Sequence, residues 1–215
     1  MYMESNKNKF LSRTAQIYVW IGFTLLFFSF ILTATPIWPY IWYRLNPNQT
    51  KSDVDNIVRK ISNQQIPTKQ QSLLSIPPID NTLPEGKYVV IPKISVESPI
   101  STSADYDEGL KQGVWIVSNY GTPEKNELPI ILAAHRFGYA DWSSDKRNKI
   151  SFYNLPNTNN EDEIYIYWNQ RKYVYKIYKS EESTYISDYS ADLILYTCKF
   201  FNSPIRIFRY AERIQ

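Results

Sequence analysis

One cysteine, one histidine and six glycines in 215 residues narrow the chemistry before any pattern is read. A lone thiol cannot close an intramolecular disulfide or build a cysteine zinc cluster, and a lone imidazole excludes a multi-histidine metal site. So few glycines exclude collagen-like and glycine-rich repeat architectures. Net charge is small as well. A formal net charge of +3 is too small to argue for a nucleic-acid partner. Aromatic residues are plentiful instead: 18 Tyr, 10 Phe and 6 Trp give the chain apolar surface that a wholly disordered protein lacks. The length suits one ordinary domain plus a further segment.

The longest gap in charge lies near the start. The 30 residues between Arg13 and Arg44 carry none, and Ile17 to Leu32 are mostly large and apolar. A bilayer core needs about 20 apolar helical residues, so this stretch is long enough to span one. Trp20, Trp38, Tyr40, Trp42 and Tyr43 gather toward its ends as interfacial aromatics do, and Pro36 and Pro39 mark where the helix frays. Thr33-Ala34-Thr35 before a proline makes a poor signal-peptidase site, which favours an uncleaved anchor. Basic residues flank both ends almost equally. The N-terminus is assigned to the inside because long folded domains translocate largely regardless of charge. This gives a cytoplasmic N-terminus (1–16), a transmembrane anchor (17–43), a spacer (44–82) and a folded domain (83–215). The spacer is rich in Asn, Gln, Ser and Pro. A short helix capped by Ser52, with Val54, Ile57, Val58 and Ile61 on one face, fits inside it.

From Lys87 the pattern becomes strand-like. Tyr88 to Val96 is β-rich, with Pro92 expected at an edge or bulge. Val114 to Val117 and Leu128 to Ala134 are short apolar runs, the second continuous, as a strand buried on both faces would be. Glu163–Trp168 and Lys172–Tyr178 alternate around Asn169-Gln170-Arg171 and read as a hairpin. Leu193 to Thr197 and Ile205 to Tyr210 complete about seven strands, with little room for helices between them. That argues for an all-β barrel or sandwich.

Three residues at strand ends carry the chemistry. Cys198 ends one apolar strand, Arg206 opens the next, and His135 ends an earlier one. A thiolate attacks carbonyls, an imidazole protonates an amine leaving group, and a guanidinium donates to the oxyanion. Together they suffice for acyl transfer through a thioester. Taken singly, each has a plainer reading: a buried thiol, a satisfied histidine and a solvated arginine.

At these residues the sequence resembles the sortases, membrane-anchored cysteine transpeptidases of the bacterial surface. Ile91-Pro-Lys-Ile-Ser-Val96 with Ser98-Pro-Ile100 is similar to the family's first barrel strands. Ala134-His135-Arg136 resembles the segment around its histidine. Leu195-Tyr-Thr-Cys198 resembles its Thr-Leu-x-Thr-Cys signature, and Arg206 to Ile214 its terminal strand. The resemblance spans about 87–214. It implies a mainly β fold, a single closed β-barrel of seven to eight strands with short helices, preceded by the N-terminal transmembrane helix.

It also implies roles. Cys198 would be the nucleophile, His135 the general acid and Arg206 the group that holds substrate and oxyanion. Thr197 and Ala134 would line the substrate site. Arg209 is the rival arginine, but residues three apart on a strand face opposite ways, and the family pattern favours Arg206. Ile194 replaces the signature's first threonine, Ala134 the glycine that often precedes the histidine, and the Lys199–Ile205 connection is short for the family. The implied reaction cleaves a C-terminal sorting signal of the Leu-Pro-x-Thr-Gly kind on a surface protein and passes the acyl group to an amine, from a cell-wall precursor peptide or a pilin lysine. The protein would be a single-pass plasma-membrane enzyme with its catalytic domain extracellular. No cofactor is implied. Asp105, Asp107 and Glu108 have the spacing for calcium but read better as a solvated acidic loop. The competing functions are a non-catalytic, membrane-tethered β domain that binds a surface partner, and a hydrolase using the same three residues.

Overall fold

The computed structural model describes residues 15–34, 38, 75–125, 127–200 and 203–215. It divides into two units, Met1–Pro47 and Asn48–Gln215. In the first, α1 (Ala15–Ala34) is a 20-residue helix long and apolar enough to cross a membrane. At 1.5 Å per residue it spans about 30 Å, the thickness of a bilayer core. The expected helix over 52–61 lies outside the described residues.

In the second unit eight strands close a barrel in the order β1-β2-β3-β4-β7-β8-β6-β5. They are β1 (Lys87–Ile91), β2 (Val96–Ser101), β3 (Val114–Ile116), β4 (Ile130–Ala133), β5 (Glu163–Trp168), β6 (Arg171–Ser183), β7 (Leu193–Cys198) and β8 (Arg206–Arg213). Two short helices, α2 (Tyr106–Gln112) and α3 (Ser144–Ile150), serve the crossovers after β2 and β4. The first connection returns directly to a parallel partner, β3 beside β2; the second enters β5, and β7 takes its parallel place beside β4 only after the β5–β6 hairpin. Parallel neighbours need such crossovers, where a tight hairpin would not reach.

The single run expected from Tyr88 to Val96 is two strands. Pro92 starts a one-turn 3-10 helix over Pro92–Ile94, and Ser95 at φ 56° completes the reversal. Proline's fixed φ suits the first position of a helical turn, so here it folds the chain back and does not sit at a bulge. The β5–β6 hairpin turns on two residues, Asn169 and Gln170, both at positive φ. That is the mirror-image turn whose twist matches antiparallel strands.

Alternation sorts the strand residues onto two faces. Val89, Ile91, Val114, Ile130, Leu132, Ile164, Ile166, Leu193, Leu195 and Ala211 fill the interior. Ile131 and Ala133 of β4, Ile194 and Tyr196 of β7, and Phe208 and Tyr210 of β8 form a second apolar cluster on the opposite face. Leu110 and Trp115 join this cluster, as do Ile186 and Ala191 from the β6–β7 loop. The acidic trio is helix chemistry: the Asp105 carboxylate accepts from the amides of Asp107 and Glu108 and caps α2.

The last part of the expected spacer is docked. Arg213 Nη2 donates to the Ser75 carbonyl at 2.6 Å, Arg171 donates to that of Pro77, and the Asp80 amide donates to Gln170 O at 2.8 Å. These bonds lie at the end of the barrel marked by the β5–β6 turn and the C-terminus of β8.

Candidate active site

Cys198 lies at the opposite end of the barrel, as the last residue of β7. Its position follows from two registers. Antiparallel pairing sets Cys198 directly across from Arg206 on β8. Side chains so placed have Cβ atoms about 4.5–5.5 Å apart. On the other side, parallel pairing aligns Ala133 with Tyr196 and continues through the Ala134 amide to Tyr196 O at 3.4 Å. Two residues on, His135 stands level with Cys198. Alternation puts His135 on the face of Ile131 and Ala133, Cys198 on that of Ile194 and Tyr196, and Arg206 on that of Phe208 and Tyr210. These are one face of three adjacent strands, so imidazole, thiol and guanidinium lie in a row across the end of the outer apolar cluster.

Each is fixed locally. The His135 carbonyl accepts from Phe152 N at 2.9 Å. The imidazole is buried, and burial pushes its pKa down to about 4. It is therefore neutral at pH 7. Cys198 is half-buried and Arg206 is buried, its guanidinium donating to the carbonyls of Ser203 and Ile205 in the β7–β8 loop. Burial raises the Tyr196 hydroxyl above the ordinary phenol range, with Arg206 opposing and Cys198 adding to the effect, so Tyr196, Arg206 and Cys198 lie near one another.

Thr197 and Ala134 meet each other. The Thr197 hydroxyl donates to the Ala134 carbonyl at 2.8 Å, and both residues are buried. This bond ties the residue before Cys198 to the residue before His135. Ile194, where the resembling signature has threonine, is fully buried in the outer cluster.

Arg209 points the other way. It pairs with Leu195 on β8's inner side. Its Nε donates to Thr158 Oγ1 at 2.7 Å, Nη1 to Phe208 O at 2.9 Å, and Nη2 to Leu155 O at 3.1 Å and Pro156 O at 3.2 Å. It holds the turn over Leu155–Asn157 and has no line to the thiol.

Two neighbours of the row were not singled out in the sequence. Arg136 donates to the carbonyl of Lys199, so the residue after the histidine grips the residue after the cysteine. The Tyr139 hydroxyl lies 3.0 Å from His135 Nε2. The only hint was an aromatic-dense loop, Phe137-Gly-Tyr-Ala-Asp-Trp142, directly after the sole histidine. Lys199 pairs with Glu182 at the end of β6 and so braces the start of the β7–β8 loop. Among the described residues no group of three or more His, Cys, Asp or Glu side chains is arranged to hold a metal ion.

The sortase-domain family profile matches residues 89–214, more than half of the chain and all of this row. The chain belongs to the sortase family. Solved sortases share its fold at low identity. Sortase A from Corynebacterium diphtheriae (a lid mutant) aligns with a TM-score of 0.50 at 20% identity, over 61% of this chain and 71% of that one. Sortase C of Streptococcus pneumoniae aligns with a TM-score of 0.50 at 19% identity, over 77% and 90%. Sortase C1 of GBS Pilus Island 1 is 23% identical with a TM-score of 0.48; 60% of this chain covers 64% of its length, under two thirds. No curated protein sequence matches the chain.

Proposed function

We propose that this sortase is a membrane-anchored transpeptidase in which Cys198 is the nucleophile, His135 the proton carrier and Arg206 the oxyanion and substrate donor. The observation that carries the reading is the row itself: Cys198 is flanked on one face by His135, two residues beyond β4, and by Arg206 at the start of β8. The buried imidazole is neutral at rest, so it begins as a base. It takes the thiol proton as sulfur bonds the scissile carbonyl carbon, while Arg206 donates to the oxyanion. As the C–N bond breaks, His135 returns that proton to the departing amine as general acid. An incoming amine then gives a proton to His135, attacks the thioester carbonyl and restores the thiol. Water in its place yields hydrolysis.

The substrate is a surface protein bearing a C-terminal sorting signal of the Leu-Pro-x-Thr-Gly kind. The acceptor is an amine on a cell-wall precursor peptide or a pilin lysine. Residues 17–43 act as anchor, 44–82 as spacer and 83–215 as the catalytic barrel, with the N-terminus inside and the barrel outside the plasma membrane. Protease protection in intact cells tests this orientation, and a barrel shielded on the cytoplasmic side would reverse it. The reaction is tested with the full chain in detergent micelles, a sorting-signal peptide and an added amine. Transpeptidation predicts a ligated product that rises with amine concentration and is lost in Cys198→Ala. Cleavage without ligation at any amine concentration would make the protein a hydrolase, and cleavage by Cys198→Ala would remove the nucleophile from its role.

A further inference from the structure

The contact of Tyr139 with the imidazole bears on which ring nitrogen does the work. Tyr139 Oη lies 3.0 Å from His135 Nε2, and the rings meet edge to face with centroids 5.0 Å apart. The tyrosine is held from behind. The Trp142 ring packs on it at 5.2 Å, and the Trp142 amide donates to Tyr139 O at 3.1 Å. Gly138 makes this loop possible: its φ is +72°, and a Cβ there would come within 2.6 Å of the Trp142 ring. Tyr139 is half-buried, and burial together with the carboxylates of Asp107 and Asp141 raises its pKa to about 12, so the hydroxyl keeps its proton at neutral pH.

Two neutral groups can share one hydrogen bond in either direction. The chemistry proposed above selects one. Taking the Cys198 proton turns His135 into an imidazolium, in which both nitrogens are donors. A Tyr139 hydroxyl donating to Nε2 would lose its bond at that moment. A hydroxyl oxygen that accepts from Nε2–H keeps it through the whole cycle. The partner of one ring nitrogen fixes the tautomer and so the task of the other.

We propose that Tyr139 is a positioning residue that accepts a hydrogen bond from His135 Nε2–H, so that Nδ1 is the nitrogen that exchanges protons with Cys198 and the leaving amine. This rests on the transpeptidase reading for its consequence in turnover, but not for the contact itself. No proton is created or lost: Nε2 stays protonated throughout while Nδ1 alternates.

The single histidine makes the test direct. Full-length protein labelled with 15N-histidine, in micelles at pH 7 and without substrate, gives signals from one imidazole only. The proposal predicts a protonated Nε2 and an unprotonated Nδ1. In Tyr139→Phe the ring stays but the acceptor goes. The tautomer ratio should then shift toward Nδ1–H, and kcat on a sorting-signal peptide should fall about ten-fold with KM within two-fold, the size of one hydrogen bond. A wild-type spectrum with Nδ1 protonated would overturn the proposal, with no variant needed. So would a Tyr139→Phe spectrum identical to wild type. A wild type that shows the predicted tautomer but ligates no peptide would count against the transpeptidase reading and leave the Tyr139 contact standing.

Discussion

Replacing each of the two candidate arginines by methionine separates catalysis from architecture. Arg209 is buried and spends its donors on Thr158 Oγ1 and four backbone carbonyls within 3.4 Å. Nη2 has only two hydrogens for three carbonyls, so about four of these five contacts are good bonds. Bonds from a charged donor contribute about 1.5–3 kcal/mol each, or roughly 6–12 kcal/mol gross. Two effects reduce this. Burial already depresses the Arg209 pKa, so removing the charge relieves a desolvation penalty of several kcal/mol. Leu155 O also keeps its bonds from Thr158 N and Oγ1. The net for Arg209→Met is a destabilisation of about 3 kcal/mol. Among the described residues Arg206 bonds only carbonyls of the adjoining loop, so Arg206→Met should lose about 1 kcal/mol or less, yet lower kcat at least ~100-fold through the missing oxyanion donor. Urea unfolding followed by aromatic fluorescence reads the first quantity and a peptide-ligation assay the second. If Arg209→Met keeps its stability and abolishes ligation while Arg206→Met ligates normally, the assignment is reversed and the argument from strand alternation fails.

Three further outcomes follow from the same geometry. The unfolded histidine binds a proton near pH 6.5, whereas the buried one resists until about 4. Relative to His135→Gln, wild type should therefore lose about 3 kcal/mol as pH falls from 6.5 to 4 and show no such difference above pH 7; urea midpoints across that range that stay parallel for the two proteins would contradict it. Thr197→Val keeps the branched shape but removes the hydroxyl bonded to Ala134 O, so the unfolding midpoint should report a loss of about 1–2 kcal/mol that Thr197→Ser restores. A Cβ at Gly121 would sit 1.9 Å from the Leu128 carbonyl oxygen. Gly121→Ala should thus destabilise by about 2–3 kcal/mol, and a neutral result in thermal unfolding would mean that the β3–β4 connection yields easily.

How far the sequence reveals this molecule depends on the range of the forces involved. Local hydrophobic patterning exposes α1, the all-buried β4 and the alternating β5–β6 hairpin, because each is specified by its own residues. The row of Cys198, His135 and Arg206 is recognisable because each residue ends or begins a strand and because four short motifs occur in family order. Closure of the barrel is not local. Nothing in β2, β3, β4 or β7 alone dictates that two of the pairings are parallel, since that choice follows from the crossover through α2 and from the longer excursion through α3, β5 and β6. Pro92 shows how a helical turn of three residues hides inside a β-rich run. β6 continues to Ser183 through Lys179, Ser180, Glu181 and Glu182, because pairing with β8 outweighs their weak strand preference. The docked strap at Ser75–Asp80 was invisible because its bonds are made by backbone carbonyls to arginines far along the chain. Tyr139 escaped for a similar reason. Its partner is only four residues away, but the loop that brings them together is set by Gly138 and Trp142 and by no repeating pattern.

The claim at the centre of this account is that Cys198 and His135 act as one unit at an accessible site. Alkylation of Cys198 as a function of pH, in the full chain and in its His135→Ala variant, tests it without any substrate. An isolated thiol titrates near 8.5. The account predicts that the native protein reacts with a pH profile displaced from that value, and that removing His135 moves the profile. A thiol that resists alkylation until the protein is unfolded, or whose profile is the same in both proteins, would contradict it.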